Sequence, residues 1–360
     1  MKVSEIPVKD PFPTPRSGHR LVAVQDKLVL FGGYTHRPIT GGEIKKEVWC
    51  YNVNPGSWKL LYTSEENFPA STASCAVISH GTKIFVFGGS GVSFGFSNSD
   101  KLHILDLVTL KWEVITFNGN VIEGGYGQSI SISSDGHLYI YGGCDGFHYF
   151  NTMNKISMDT WHNSTYYRND FLGRYRHESV DHNGMIMIFG GGCPQPTEDL
   201  GTIPFFCTKT NSWKVMKAKS GHNPPGRVAH SCNKIGNFIV VTGGQAQIET
   251  PAVGTQNFAL SDIWFLDLVS YMWTPVKATL PKGIFFHSGA VGGDNCLYTF
   301  GGSTYNTQGS VDRLNVLYKV NIFVPPLVEL AWKVFHQNFK HIPRLTMVNL
   351  GVPIYLVHRV

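Results

Sequence analysis

A pair of adjacent glycines closes a strand-like apolar run six times in this chain. The runs are LVLFGG, IFVFGG, LYIYGG, MIMIFGG, IVVTGG and LYTFGG, with pairs at Gly32-Gly33, Gly88-Gly89, Gly142-Gly143, Gly190-Gly191, Gly243-Gly244 and Gly301-Gly302. The intervals are 56, 54, 48, 53 and 58 residues. Glycine allows positive φ and lets neighbouring backbones approach closely where a strand ends. One such pair carries no information, but six at near-even spacing specify a repeat architecture. Other features keep the same phase. An Arg-x-x-His strand start stands about ten residues before several pairs, in PRSGHR, RYRHES and GRVAHS. A loop follows each pair, then an apolar strand often ending in Asp, as in LHILDL and IWFLDL. A tryptophan follows in five of the six copies: Trp58, Trp112, Trp161, Trp213 and Trp273. It is the large apolar filler expected between packed units.

A unit of about four strands over roughly 50 residues has the size of a kelch propeller blade. The chain is therefore expected to be all-β, a six-bladed kelch β-propeller over residues 1–323, followed by a short α-helical tail over 324–360. The sixth copy lacks its tryptophan and outer strand after LNVLYKVNI. The N-terminal KVSEIPV precedes the first strand start and is expected to complete blade six, closing the ring without an open sheet edge. An open solenoid and a pair of stacked sandwiches are the alternatives.

Composition narrows the function. Charged residues are 15% of the 360, the net charge is +5, and no block of five Lys/Arg occurs. Nucleic acid and membrane are thus not expected as partners. The seven cysteines are scattered and never spaced as CxxC, which fits reduced thiols in a cytoplasmic or nuclear protein. The start MKVSEIPVKD has no apolar signal core, and the sequon at Asn163 is read as chance. No GxSxG, HExxH, P-loop or zinc-spaced Cys/His set is present, so binding is favoured over catalysis, with no cofactor and no metal. An enzyme using the polar channel is the remote alternative.

Comparing the copies at one slot separates scaffold from function. The repeated Arg16, Arg174 and Arg227, with His19, His177, His230 and His287, are read as loop-holding groups. The slot before the histidine is read as Gly18, Thr72, Tyr126, Arg176, Ala229 and Phe286. The slot before that is read as Ser17, Ser71, Gly125, Tyr175, Val228 and Phe285. The slot after the histidine is read as Arg20, Ser74, Gln128, Glu178, Ser231 and Ser288, an all-polar ring suited to a water-filled channel. First and second strands form a hairpin, so strand starts and post-glycine loops share one face. That face would gather Tyr126, Tyr175, Arg176, Phe285 and Phe286 with Tyr34, His36 and Arg37. Aromatics around a basic residue make a seat for a peptide or an anion. Packing between blades is the other reading of Tyr175 and Phe285.

The tail segment VPPLVELAWKVFHQNF reads as an amphipathic helix. Two prolines sit at its entrance, where missing N–H groups cost least. Leu327, Leu330, Ala331, Val334 and Phe335 fall on one stripe, which a closed propeller leaves in need of a partner. HIPRLTMVNLGVPIYLVHRV reads as two more short helices whose Leu345, Val348, Leu350, Ile354, Leu356 and Val357 can pack on the first. Docking of the tail on its own propeller is the alternative.

Several stretches go beyond the generic repeat: PRSGHRLVAV, FGGSGVSFGFSNSDKLHILDL, GYGQSISI, GRYRHESV and VPPLVELAWKVF, in this order and over essentially the whole chain. Together they resemble the kelch-repeat substrate receptors of Cullin-2/Elongin BC ubiquitin ligases. Pro326, Leu327, Ala331 and Phe335 are similar to the four slots of an Elongin BC-binding box, with Ala331 where cysteine is usual. The resemblance implies a non-catalytic receptor whose tail binds Elongin C, and through it Elongin B and Cullin-2. It also implies a propeller that holds target-protein C-terminal peptides, often ending in Gly or Ala. Arg176 would then take the terminal carboxylate, assisted by Gln128, Arg20 and Ser231, with Tyr126, Tyr175, Phe285, Phe286 and Tyr34 around the preceding side chains. Related receptors draw two arginines from a single post-glycine loop, and the matching GGQAQIETP here has none. A plain scaffold that restrains a signalling enzyme such as a phosphatase is the second reading.

Overall fold

Each of the six diglycines ends the second strand of a separate antiparallel sheet. The computed structural model describes residues 1–7, 9–37, 41–167, 173–193, 199–250, 254–322, 335, 342–349 and 352. Blade one runs Arg20–Val24, Lys27–Phe31, Val48–Asn52 and Ser57–Leu61 from the inside outward. Blades two, four and five repeat this order, beginning at Ala76–His80, Glu178–His182 and Ser231–Ile235. Blade three begins at Ser129–Ile132 and gains a fifth, parallel strand, Asn118–Gly119. In blade six, Ser288–Val291, Leu297–Phe300 and Leu317–Asn321 come from the end of the propeller, and Lys2–Ile6 is the outermost strand. The register runs from Lys2 opposite Asn321 to Ile6 opposite Leu317. First strands touch first strands all the way round, blade six against blade one. The ring is closed.

Six buried apolar clusters fill the six gaps between consecutive blades. In the gap between blades six and one, Leu28, Leu30 and Trp58 meet Tyr298, Phe300 and Leu317. In the next gap, Phe31 and Val48 meet Ile84, Val86 and Trp112. The repeated tryptophan works across these gaps. Trp58 packs on Phe300 at 5.2 Å, Trp112 on Phe31 at 5.6 Å, Trp213 on Tyr141 at 4.8 Å and Trp273 on Phe189 at 6.1 Å. In each pair the partner is the aromatic just before the diglycine of the preceding blade. Such rings are worth about 1.5–3 kcal/mol each in burial alone.

Both glycines of a pair are required, for different neighbours. The first has no room for a side chain because the next blade's strand start lies against it. A Cβ on Gly190 would sit 2.5 Å from the Arg227 carbonyl oxygen, and one on Gly142 2.6 Å from that of Arg174. The second faces its own blade, where a Cβ on Gly191 would sit 2.6 Å from the His177 Cβ. Both residues of each pair have positive φ.

The repeated Arg-x-x-His start is a clamp on the same corner. Arg16 Nη1 donates to the Gly32 carbonyl and Nη2 to Glu47, whose carboxylate also accepts from the Trp49 indole. Arg227 does the same with Gly243 and with Asp262, held bidentate at 2.7 and 2.8 Å, which in turn accepts from Trp264. Arg174 donates to the Gly190 carbonyl at 3.0 Å. The histidines are fully buried and neutral: burial, aided by the nearby Arg16 and Arg174, pushes His19 and His177 down to about 3. These groups hold loops, as the repeat implies. All seven cysteines are free. Asn163 is buried and donates to Asn120 and Asn154, closed to glycosylation in the folded chain.

In the tail, Arg344–Asn349 is helical. Met347 is fully buried and packs on Phe335, Ile342 and Val352, all of them tail residues. Val348, expected to pack inward, is 42% exposed, while its neighbour Met347 takes that place. Pro326, Leu327, Leu330, Ala331 and Val334 lie outside the described residues, as do Leu350, Ile354, Leu356 and Val357.

Candidate functional site

On the face that carries the strand starts, six residues form a closed circle of main-chain hydrogen bonds. Gly18 N–H donates to Phe286, Phe286 to Ala229, Ala229 to Arg176, Arg176 to Gly127, Gly127 to Ser74, and Ser74 back to Gly18, at 2.7–3.0 Å. All six are in the left-handed region, φ 53–70°. Only two are glycine, so the other four carry backbone strain that the circle holds in place.

This collar corrects the alignment of blades two and three. The residues equivalent to Arg176 and Phe286 are Ser74 and Gly127, not Thr72 and Tyr126. Tyr126 belongs one slot earlier, with Tyr175 and Phe285, as the bridges Tyr126–Cys144, Tyr175–Gly192 and Phe285–Ser303 show. Gln128 occupies the histidine slot itself. It is 1% exposed, and its side chain lies under Gly143 of its own blade. The slot after it is Ser129, and in blade two it is Ala76, so that ring is not wholly polar. These blades lack both the arginine and the histidine (Thr72 and Gly125, Cys75 and Gln128 replace them), which left the sequence without an anchor there.

Below the collar, Arg20 of blade one reaches across the channel to Glu178 of blade four, with Nη1 to Oε1 at 2.5 Å, and its Nε donates to the Cys75 carbonyl. The Glu178 charge raises the Arg20 pKa against the opposing effect of burial. Arg20 is thus committed to an internal partner and not free for a ligand carboxylate. The bridge divides the channel. Above it lies a small cavity of about 30 Å³ lined by Gly18, Ser74, Gly127, Arg176, Ala229 and Phe286 with His19, His230 and His287 beneath. Beyond it lies a wider one of about 440 Å³ lined by the first strands. Ser231 lines the wider cavity and accepts from Asn233, so it too is away from the mouth.

Around the mouth runs a continuous chain of aromatic contacts. Tyr34 meets Phe94 at 5.6 Å, Phe94 meets Tyr126 at 5.6 Å, and Tyr126 meets Tyr175 at 6.4 Å. The Arg176 guanidinium lies between Tyr175, at 4.5 Å, and Phe286, at 4.4 Å. Phe286 continues to Phe285 at 5.7 Å, and Phe285 to Tyr305 at 5.2 Å. Tyr305 stands on the hairpin of Ser303–Tyr305 with Val311–Arg313, and Arg313 lies 4.7 Å from the Tyr34 ring, closing the circuit. Phe285 is both a wall of the mouth and buried, at 4% exposure.

No repeat slot marks Arg313, Tyr305, Phe94 or Tyr149. They stand on post-glycine loops of unequal length, where the repeat loses phase. Arg313 donates to Ser17 Oγ at 3.1 Å, and burial lowers its pKa. Among the described residues, neither Arg176 nor Arg313 has a carboxylate partner. Two guanidinium groups held by rings and lacking counter-charge favour an anionic group flanked by apolar ones. Among the described residues no group of three His, Cys, Asp or Glu is placed to hold a metal ion.

The family description KLHDC2/KLHL20/DRC7 Kelch-repeats domain matches residues 1–191 and 145–344. Kelch domain-containing protein 10 of Homo sapiens is 30% identical over 365 residues, covering 96% of this chain and 80% of that protein. The homolog of Kelch domain-containing protein 10 in Drosophila melanogaster is 30% identical over 380 residues, 95% of this chain and 61% of that protein. Kelch domain-containing protein 1 of Mus musculus is 28% identical over 298 residues, 80% and 63%. Among solved structures, that of YjhT shares the fold, with a TM-score of 0.66 at 13% identity over 87% of this chain and 97% of that one.

Proposed function

Since the chain belongs to the kelch-repeat family that includes Kelch domain-containing protein 10, we propose that it is the substrate-binding subunit of a Cullin-2 RING ubiquitin ligase. In this reading the mouth binds the C-terminal peptide of a target, ending in Gly or Ala, and the tail binds Elongin B and Elongin C. The observation that carries the peptide half is Arg176, stacked between Tyr175 and Phe286 and, among the described residues, without a carboxylate partner. A terminal carboxylate supplies the missing charge. The small collar residues Gly18, Ser74, Gly127 and Ala229 leave room for a final residue with little or no side chain. Arg313 is the second cation of the mouth, in place of the loop arginines of related receptors. The Arg20–Glu178 bridge acts as a floor, so that a chain end enters and an internal loop does not.

The tail half rests on the resemblance of Pro326, Leu327, Ala331 and Phe335 to an Elongin box, with Leu330 and Val334 on the same stripe. It also agrees with the packing of Phe335, among the described residues, on the tail residue Met347. The receptor holds its target near the ubiquitin-loaded enzyme and raises the local concentration of acceptor lysine.

Two measurements test this. Peptides ending in free Gly or Ala should bind, bind at least tenfold more weakly when amidated, and lose affinity similarly in Arg176→Ala. Equal affinity for the free and amidated ends would refute the carboxylate reading. Tagged protein should recover Elongin B and C, and Leu327→Asp should not. Recovery of a phosphatase or another signalling enzyme without Elongins would favour a plain scaffold.

A further inference from the structure

Beside the mouth, two phenylalanines face solvent almost fully. Phe96 is 80% and Phe147 70% exposed, with their rings edge to face at 6.1 Å. Exposed apolar surface of this kind, next to a candidate site, marks a contact surface. The loops that carry it are locked together. Asn98 Nδ2 donates to the Gly95 carbonyl at 3.2 Å and to the Asp145 carbonyl of the next blade at 2.8 Å. Gly95 and Gly146 lie so close that a Cβ on either would be 3.0 or 2.7 Å from the other's Cα. Asp145 Oδ1 accepts from the Phe147 and His148 N–H groups at 2.7 and 2.6 Å, fixing the turn. The two rings are therefore presented by a preformed lobe, which lowers the entropic cost of binding.

The lobe is continuous with the mouth. Phe94 packs on Tyr34 and Tyr126. Tyr149, two residues beyond Phe147, packs on Tyr175 at 5.1 Å, and Tyr175 is the ring beneath Arg176. The blade-two loop, SGVSFGFSNS, has no charged side chain. Resting on the reading of Arg176 as the carboxylate seat, we propose that Phe96 and Phe147 form a second subsite for an apolar side chain of the same bound peptide. Two residues of chain from Tyr149 to Phe147 add at most about 7 Å. With about 4 Å from each ring centre to its own Cα, the path from Arg176 to the Phe147 ring is about 25 Å at most, or up to about seven residues of extended chain. The subsite selects Leu, Ile, Val or Phe within that distance upstream of the terminus.

The test is a leucine scan in a fluorescently labelled ten-residue Gly/Ser peptide ending in free Ala, with leucine placed in turn three to seven residues from the end. The expected result is about tenfold tighter binding of one or two scan members than of the leucine-free peptide. In Phe96→Ser/Phe147→Ser that preference disappears while the leucine-free peptide binds as before, which also reports an intact fold. In Arg176→Ala both peptides are lost. The inference is overturned if no position prefers leucine, or if the preference survives in the double variant. It is also overturned if the double variant weakens all peptides alike. Failure of the wild type to bind any peptide overturns the carboxylate reading itself, and this subsite with it.

Discussion

Replacing His177 with glutamine should remove about 2 kcal/mol of acid lability from the fold. His177 is fully buried, accepts or donates at Ser129 Oγ at 2.9 Å, and is held neutral with a pKa near 3. In the unfolded chain it recovers the ordinary value of 6.5. Between these values the unfolded state binds a proton and the native state does not. The stabilisation is therefore present at neutral pH and lost as pH falls below 6.5. From pH 7 to pH 5 the loss is about 2 kcal/mol for one histidine, roughly a thirtyfold change in the folding equilibrium. His19 and His287 have the same depressed pKa of about 3, and His230 is lowered in the same direction. The wild type should thus lose several times this amount over the interval. Glutamine is the chosen replacement because blade three already places Gln128 in this slot. Loss of the Ser129 bond shifts stability equally at both pH values and leaves the slope to report the proton. Urea unfolding followed by tryptophan fluorescence, at pH 7 and pH 5, measures the slope. An unchanged pH dependence in His177→Gln would falsify the assignment of a neutral buried imidazole.

Two further outcomes follow from the channel and the corners. Arg20→Met should cost about 3 kcal/mol, because Glu178 is left charged in the channel, whereas Arg20→Met/Glu178→Met should recover most of it; urea midpoints of the single and double variants decide. Gly190→Ala should cost about 2 kcal/mol or more, since its Cβ would lie 2.5 Å from the Arg227 carbonyl at φ 59°. Gly221→Ala, where nothing lies within 4 Å, should stay within about 0.5 kcal/mol by the same measurement.

The ring was legible because its punctuation is steric. Each diglycine is squeezed by the next blade and by its own histidine slot, so no other residue fits and the period survives in the sequence. Ring closure was legible for a related reason: the sixth copy was one strand short and the first segment had no sheet of its own. The slots of Tyr126 and Gln128 are not legible from the repeat, because blades two and three keep neither the arginine nor the histidine that marks phase elsewhere. The pairing of Arg20 with Glu178 spans 158 residues. Yet one signal for it was present: these are the only two charged residues in their slot, of opposite sign, three blades apart in a ring of six. Arg313 and Tyr305 left no such trace, because the loops after the diglycines vary in length and only the folded hairpin brings them to the mouth.

The seam has a mechanical consequence. The tail follows in sequence directly from the Leu317–Asn321 strand, which is flanked by Leu297–Phe300 on one side and Lys2–Ile6 on the other. A protein that takes hold of the tail therefore tugs on an inner strand gripped along both flanks. Pulled along its length, such a strand loads two ladders in shear together, instead of peeling from a free margin one rung at a time. The Lys2–Ile6 strand thus does more than finish a sheet: it is the outer jaw of the anchor to which the tail is joined in sequence.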